Sequence, residues 1–143
     1  MYKPHPHNSL ISKNHTMKLI TKQLEKRFRE LGQQDIPDPV IVAKFFNPTG
    51  AGTWHTISYE PETRIAFGYV TGLGFDELGY YSIDELESIK CPPFGLSIER
   101  DLHCGERRLS EHCPELAPEI KRREELREIE SQQENQKEND LER

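Results

Sequence analysis

The chain has 143 residues, of which 34% are hydrophobic and 31% charged, and its formal net charge is -6. That length suits one domain. No apolar run reaches the about 18 residues of a membrane span, the three cysteines are too few and too irregularly spaced for a disulfide framework, and an acidic balance argues against a partner with a phosphate backbone.

The charge is unevenly spread. Residues 1–31 carry seven Lys or Arg against two Glu, residues 32–114 carry six against thirteen acids, and residues 115–143 carry six against ten. Most aromatic residues lie between residues 40 and 100, and none lies after residue 114. The expected organisation is a disordered leader over residues 1–16, a single α+β domain over 17–114, and a charged tail, helical or disordered, over 115–143. The front end lacks the apolar stretch of a secretory signal. Free thiols fit a reducing compartment, so a cytoplasmic location is expected.

In chain order, the leader holds Pro4, Pro6 and three histidines without an apolar period. Leu24, Phe28 and Leu31 then fall on one helical face, with Thr21 as N-cap and Gly32 as the stop. The other face carries Lys22, Lys26, Arg27 and Arg29. After the prolines at 37 and 39, VIVAKFFN (residues 40–47) reads as a strand covered on both faces. TWHTISY (53–59) reads as a strand with Trp54, Thr56 and Ser58 on one face and His55, Ile57 and Tyr59 on the other. A third strand runs over 64–70 and a short fourth over 77–81. Tight turns between successive strands imply an antiparallel meander. Ser82 with Glu85 forms a capping box for a short helix that buries Ile83, Leu86 and Ile89. Residues 93–103 read as an extended segment packed on the domain. From Pro118 onward the apolar residues are sparse, which predicts a marginal, fraying helix. The fold class is therefore α+β: a meander of about four strands with an N-terminal helix, a short capped helix and a charged C-terminal helix.

LGYYSIDELESI followed by PFGLSIERDL, preceded in order by MKLITKQLEK, PDPVIVAKFF and TWHTISYE, resembles a bacterial family catalogued as domain of unknown function 2958. The resemblance covers residues 17–110. Family members are similar in being small proteins of plasmids, conjugative elements and phages, which implies a role in element maintenance or host conflict. The resemblance carries no catalytic residues with it.

Three constellations bear on chemistry. Cys91, His103, Cys104, His112 and Cys113 are zinc-ligand types, but zinc sites take ligands as pairs a few residues apart, whereas here His103-Cys104 and His112-Cys113 are adjacent and point to opposite faces. Glu99, Asp101 and His103 share a face in an extended segment, as acid–base work requires. Arg100 among them is read as a structural clamp on Asp101 or on the acidic band that follows. That band, Asp76, Glu77, Asp84, Glu85 and Glu87, is suited with Trp54 to a partner surface. No phosphate loop, dinucleotide fingerprint, metalloprotease motif or nucleophile elbow occurs, and no cofactor is expected.

The leading expectation is a non-enzymatic accessory protein that binds a protein partner through its acidic β-rich domain. A small hydrolase-like or metal-dependent enzyme using Glu99, Asp101 and His103 is the alternative. A nucleic-acid binder working through the basic first helix, or a phosphate mimic working through the acidic band, is a third.

Overall fold

The computed structural model describes residues 18–142, so the expected leader and its histidines lie outside the described residues. The described chain divides into two compact units. One comprises residues 18–34 with Ile41–Glu106, and the other Asp35–Val40 with residues 107–142.

The first unit opens with helix α1, Lys22–Leu31. The Thr21 hydroxyl accepts from the Leu24 N–H at 3.2 Å, satisfying one of the amides that a helix start leaves over. Gly32 ends the helix in the left-handed region at φ 65°, and its N–H returns to the Phe28 carbonyl at 2.9 Å. Phe28 is buried, and Leu24 and Leu31 pack against the core, as their spacing requires.

The strand expected over residues 40–47 is interrupted at Val42, giving Val40–Ile41 (β1) and Ala43–Phe46 (β2). Thr53–Glu60 (β3), Ile65–Thr71 (β4) and Glu77–Ser82 (β5) follow. Helix α2, Ile83–Ser88, starts on Ser82, whose hydroxyl accepts from Glu85 N at 3.2 Å. Ile83 and Leu86 are buried, but Ile89 lies beyond the last turn and is exposed, against expectation. The two-residue strand Glu99–Arg100 (β6) completes a five-stranded sheet of order β5-β4-β3-β2-β6. All its pairings are antiparallel. The fold is α+β, and the expected meander of successive strands is present, with β6 added at one edge.

The alternation expected along β3 fails at one place. Pairing with β4 shifts register between Thr56 and Ser58, so Ile57 is an extra residue and the side chains exchange faces there. Trp54 belongs to the buried core and Tyr59 packs against that same core, although five residues of regular strand would set them on opposite faces. On β4 the core face carries Ala66 and Val70. Phe67 lies on the opposite face, where its ring meets Tyr80 at 4.9 Å between centroids.

Gly68, on the core face of β4, sits where the chain crowds itself. A Cβ there would stand 2.0 Å from the His55 carbonyl oxygen and 2.6 Å from the Tyr81 hydroxyl. The missing side chain lets Tyr81 reach inward across β4 and hydrogen-bond Thr56 at 2.7 Å. Burial pushes the Tyr81 phenol well above the usual tyrosine range, with the Thr56 hydrogen bond acting the other way. Gly79, directly across from Gly68 on β5, is different: a Cβ there would meet nothing within 4 Å.

In the second unit, Asp38 starts the short helix α3, Leu109–His112. Its carboxylate accepts from Ser110 N at 2.9 Å and from the Ser110 hydroxyl at 2.7 Å, while Leu109 N donates to the Pro39 carbonyl at 2.8 Å. Arg107–Arg108 (β7) and β1 form a separate two-stranded sheet. A 3-10 turn, Pro114–Leu116, leads into α4, Ala117–Leu141. Leu109, Cys113 and Ile120 are buried. Where sparse apolar residues predict fraying, α4 is continuous to Leu141, with Glu119 bound to Arg122 at 2.7 Å and to Arg123 at 3.1 Å in its first turns. Those hydrogen bonds, Arg122 first, hold the Glu119 carboxyl below its ordinary value.

The two facing glycines give opposite expectations. Gly68→Ala forces backbone or Tyr81 to move and should cost at least about 2 kcal/mol by urea denaturation, the scale of overpacking. Gly79→Ala has room and should be neutral or gain about 0.5 kcal/mol by stiffening the unfolded chain. Equal effects of the two substitutions would refute the close approach at Gly68.

Candidate functional site

The three acid–base candidates leave the sheet at the β6 edge. Glu99 pairs with Phe46, and Arg100 with Phe45. The Asp101 N–H donates to the Lys44 carbonyl at 2.9 Å. The chain then turns, with the Asp101 carboxylate accepting from the His103 N–H at 2.9 Å. This turn ends the extended alternation that would align Glu99, Asp101 and His103. The other Asp101 oxygen stands 3.9 Å from Lys44 Nζ, and His103 is exposed on the turn. Asp101 thus serves as the acceptor that folds the segment.

Arg100 engages main-chain carbonyls. Its Nη1 donates to the carbonyls of Lys18 at 2.7 Å and Leu19 at 3.0 Å. The segment it holds leads into α1 and carries Leu19 and Ile20, both buried. The guanidinium's several donors on one planar fork suit two successive carbonyls.

Beside α1 lies a groove of about 600 Å³, floored by Leu24, Val42 and Ala43 and walled by α1 on one side and residues 100–106 on the other. One ion pair spans it. Arg27 grips Glu106 through Nε at 2.7 Å and Nη2 at 3.0 Å, and Nη1 reaches Glu30 at 3.2 Å. These hydrogen bonds, Glu106 first, fix Arg27 more firmly in its charged form. Arg29 likewise stands 3.6 Å from Glu25. Two of the basic residues of α1, Arg27 and Arg29, are thus paired with acids.

The cysteines and histidines are dispersed in role. Cys91 is buried, its N–H bonded to the Leu96 carbonyl at 2.7 Å, and burial together with the Glu99 carboxylate pushes its thiol up. Cys104 is partly exposed in the groove wall, its Sγ 3.7 Å from the Gly105 carbonyl. In the second unit His112 ends α3 and Cys113 is buried behind it. Among the described residues, no group of three or more His, Cys, Asp or Glu is placed to hold a metal ion.

The acidic band splits into two sets. Asp84 and Glu87 meet Arg64, whose Nη1 contacts Asp84 and whose Nη2 reaches Glu87 at 2.5 Å. Arg64 holds this position from the left-handed region, at φ 57°, with Nε donating to the Tyr59 hydroxyl at 3.2 Å. The second Glu87 oxygen accepts from Leu19 N at 3.4 Å. Asp76 accepts from Gly72 N at 3.0 Å and closes the loop before β5. Asp76, Glu77 and Glu85 are exposed and form no ion pair among the described residues. Trp54, grouped with the band in the sequence reading, lies in the core at 6% exposure.

What sequence reasoning missed stands beside these acids. Phe75 and Tyr80 are each 79% exposed, and Leu73 is 56% exposed. Tyr80 lies on β5, an outer strand whose hydrogen-bonded neighbour among the described residues is β4. An aromatic in a strand reads as core, and only the sheet order shows that this one faces out.

The family signature lies on these same elements. LGYYSIDELESI is β5 with α2, and PFGLSIERDL contains β6 and Arg100. A family model described as Protein of unknown function (DUF2958) matches residues 10–121. The chain belongs to that family. No curated protein and no solved structure matches it. In this DUF2958 member the matched span covers the whole five-stranded sheet and ends in the first turns of α4. No helix among the described residues is long and apolar enough to cross a membrane.

Arg100→Ala strips two carbonyls of a charged donor and should destabilise the chain by roughly 1.5–3 kcal/mol, read as a lower urea midpoint. Arg100→Lys should recover part of it. A wild-type midpoint for the alanine variant would refute the clamp.

Proposed function

We propose that this chain is a non-enzymatic, cytoplasmic interaction protein of a plasmid, conjugative element or phage, and that it binds a protein partner through the face formed by Phe75, Tyr80 and the β5 edge. The carrying observation is the pair of aromatic rings, each 79% exposed, beside an outer strand. Large aromatic side chains normally bury their area, and a cluster that does not marks a contact surface. Such residues are also those that dominate binding energy at interfaces. The exposed acids Asp76, Glu77 and Glu85 form the polar rim such surfaces carry. The mobile-element setting rests on the family resemblance, and the three free thiols suit a reducing compartment.

The test is affinity capture from the native host with the full chain and with a Phe75→Ala/Tyr80→Ala variant. Loss of two anchors worth about 2 kcal/mol each should weaken binding roughly a thousandfold and all but abolish capture of the partner. The melting temperature should stay within about 3 °C of wild type, because both rings are exposed. Equal capture by both proteins would place the partner surface elsewhere.

A further inference from the structure

The β5 edge carries a feature that its own fold does not account for. A glycine inside a strand weakens it, and where one occurs it commonly marks a bend or the close approach of another group. Gly68 has such a reason within the chain, in the His55 carbonyl and the Tyr81 hydroxyl. Gly79 has none: its φ lies outside the left-handed region and nothing stands within 4 Å of where its Cβ would be. Glu77, Gly79 and Tyr81 share one face of β5 by strand alternation. Tyr81 leans inward to Thr56 across Gly68, which leaves the ground over Gly79 clear. Glu77 stands beside that ground, exposed. From Ile65 through Ile89 the chain has no Lys or Arg, and Arg64 is engaged by Tyr59, Asp84 and Glu87.

We propose that β5 accepts an extended basic segment of the partner as an added antiparallel or parallel strand, with an arginine or lysine stem lying over Gly79 and its charged head at Glu77. This rests on the reading of the chain as an interaction protein and names the chemistry of what it binds. The open edge supplies main-chain hydrogen bonds, as in other strand additions. The bare Gly79 gives a long side chain a surface to lie on, and the acids select a cation and reject an anion. Phe75 and Tyr80 flank the added strand with apolar area.

The experiment uses the full chain and two fluorescein-labelled eight-residue peptides, one alternating valine with arginine and the other valine with glutamate, read by fluorescence anisotropy. The arginine peptide should bind at least about tenfold more tightly than the glutamate peptide, and more weakly at high salt. Glu77→Gln and Gly79→Val should each weaken it by at least about fivefold, with melting temperatures unchanged, since one side chain is exposed and the other position is roomy. Equal binding of the two peptides, or indifference to both substitutions, overturns the proposal. So does a dimer in sedimentation equilibrium that Gly79→Val dissociates, for the edge would then serve a second copy. If host capture depends on Phe75 and Tyr80 while neither peptide binds, this inference fails and the interaction reading stands.

Discussion

The contact on which the sheet depends is the approach of the His55 carbonyl to Gly68, 2.0 Å from where a side chain would begin. Strands β3 and β4 carry a bulge at Ile57 beside this point, and the bulge is what returns Tyr59 to the face that Trp54 already occupies. Thus β3 places an aromatic on the core at both ends, although a regular strand of that length would not. The same bare glycine lets Tyr81 span β4 and hydrogen-bond Thr56, which ties the outer strand to the third. A phenol buried in that position is held in its neutral form. The outer strand is thereby fixed from the inside, while among the described residues no strand pairs its far edge and nothing stands within 4 Å of a Cβ at Gly79.

Two arginines fasten the rest of this unit to the sheet. Arg100, carried out on a two-residue strand, holds the carbonyls of Lys18 and Leu19. Arg64, at the β3–β4 turn, gathers Tyr59, Asp84 and Glu87, and Glu87 in turn receives Leu19 N. The residues before α1 are thus gripped from both sides by charge-assisted hydrogen bonds, which are shorter and stronger than neutral ones. These attachments also sort the acids by role. Asp84 and Glu87 pair with Arg64 and Asp76 closes the loop before β5, whereas Glu77 and Glu85 are exposed and form no ion pair among the described residues.

What the sequence made legible was local. The Thr21 and Ser82 caps and the Gly32 stop need only neighbours within one turn, and each residue type carries its own reason. The meander follows from short turns between strand-like runs, again a near-neighbour argument. The bulge at Ile57 shows only in the pairing of β3 with β4, and no pattern within residues 53–59 contains it. Strand β6 is two residues long and exists through its pairing with Phe45 and Phe46, some 50 positions earlier. The carbonyls of Lys18 and Leu19 that Arg100 reaches were not legible, because main-chain acceptors leave no mark in composition. Tyr80 and Trp54 show the same limit for the site. Both are aromatics in strands, and only the sheet order decides that one is buried and the other presented to solvent.

The account's central claim is that β5 is an open edge that a partner strand completes. Residue-resolved hydrogen exchange over Glu77–Ser82 tests it most directly. In the free chain, alternate amides of this strand should be protected by β4 while the others exchange at rates close to those of exposed main chain. On addition of the arginine–valine peptide, the fast-exchanging amides should become protected and the slow ones should stay as they are. Uniform protection along the strand in the free chain, or peptide-induced protection confined to residues outside β5, would contradict the account.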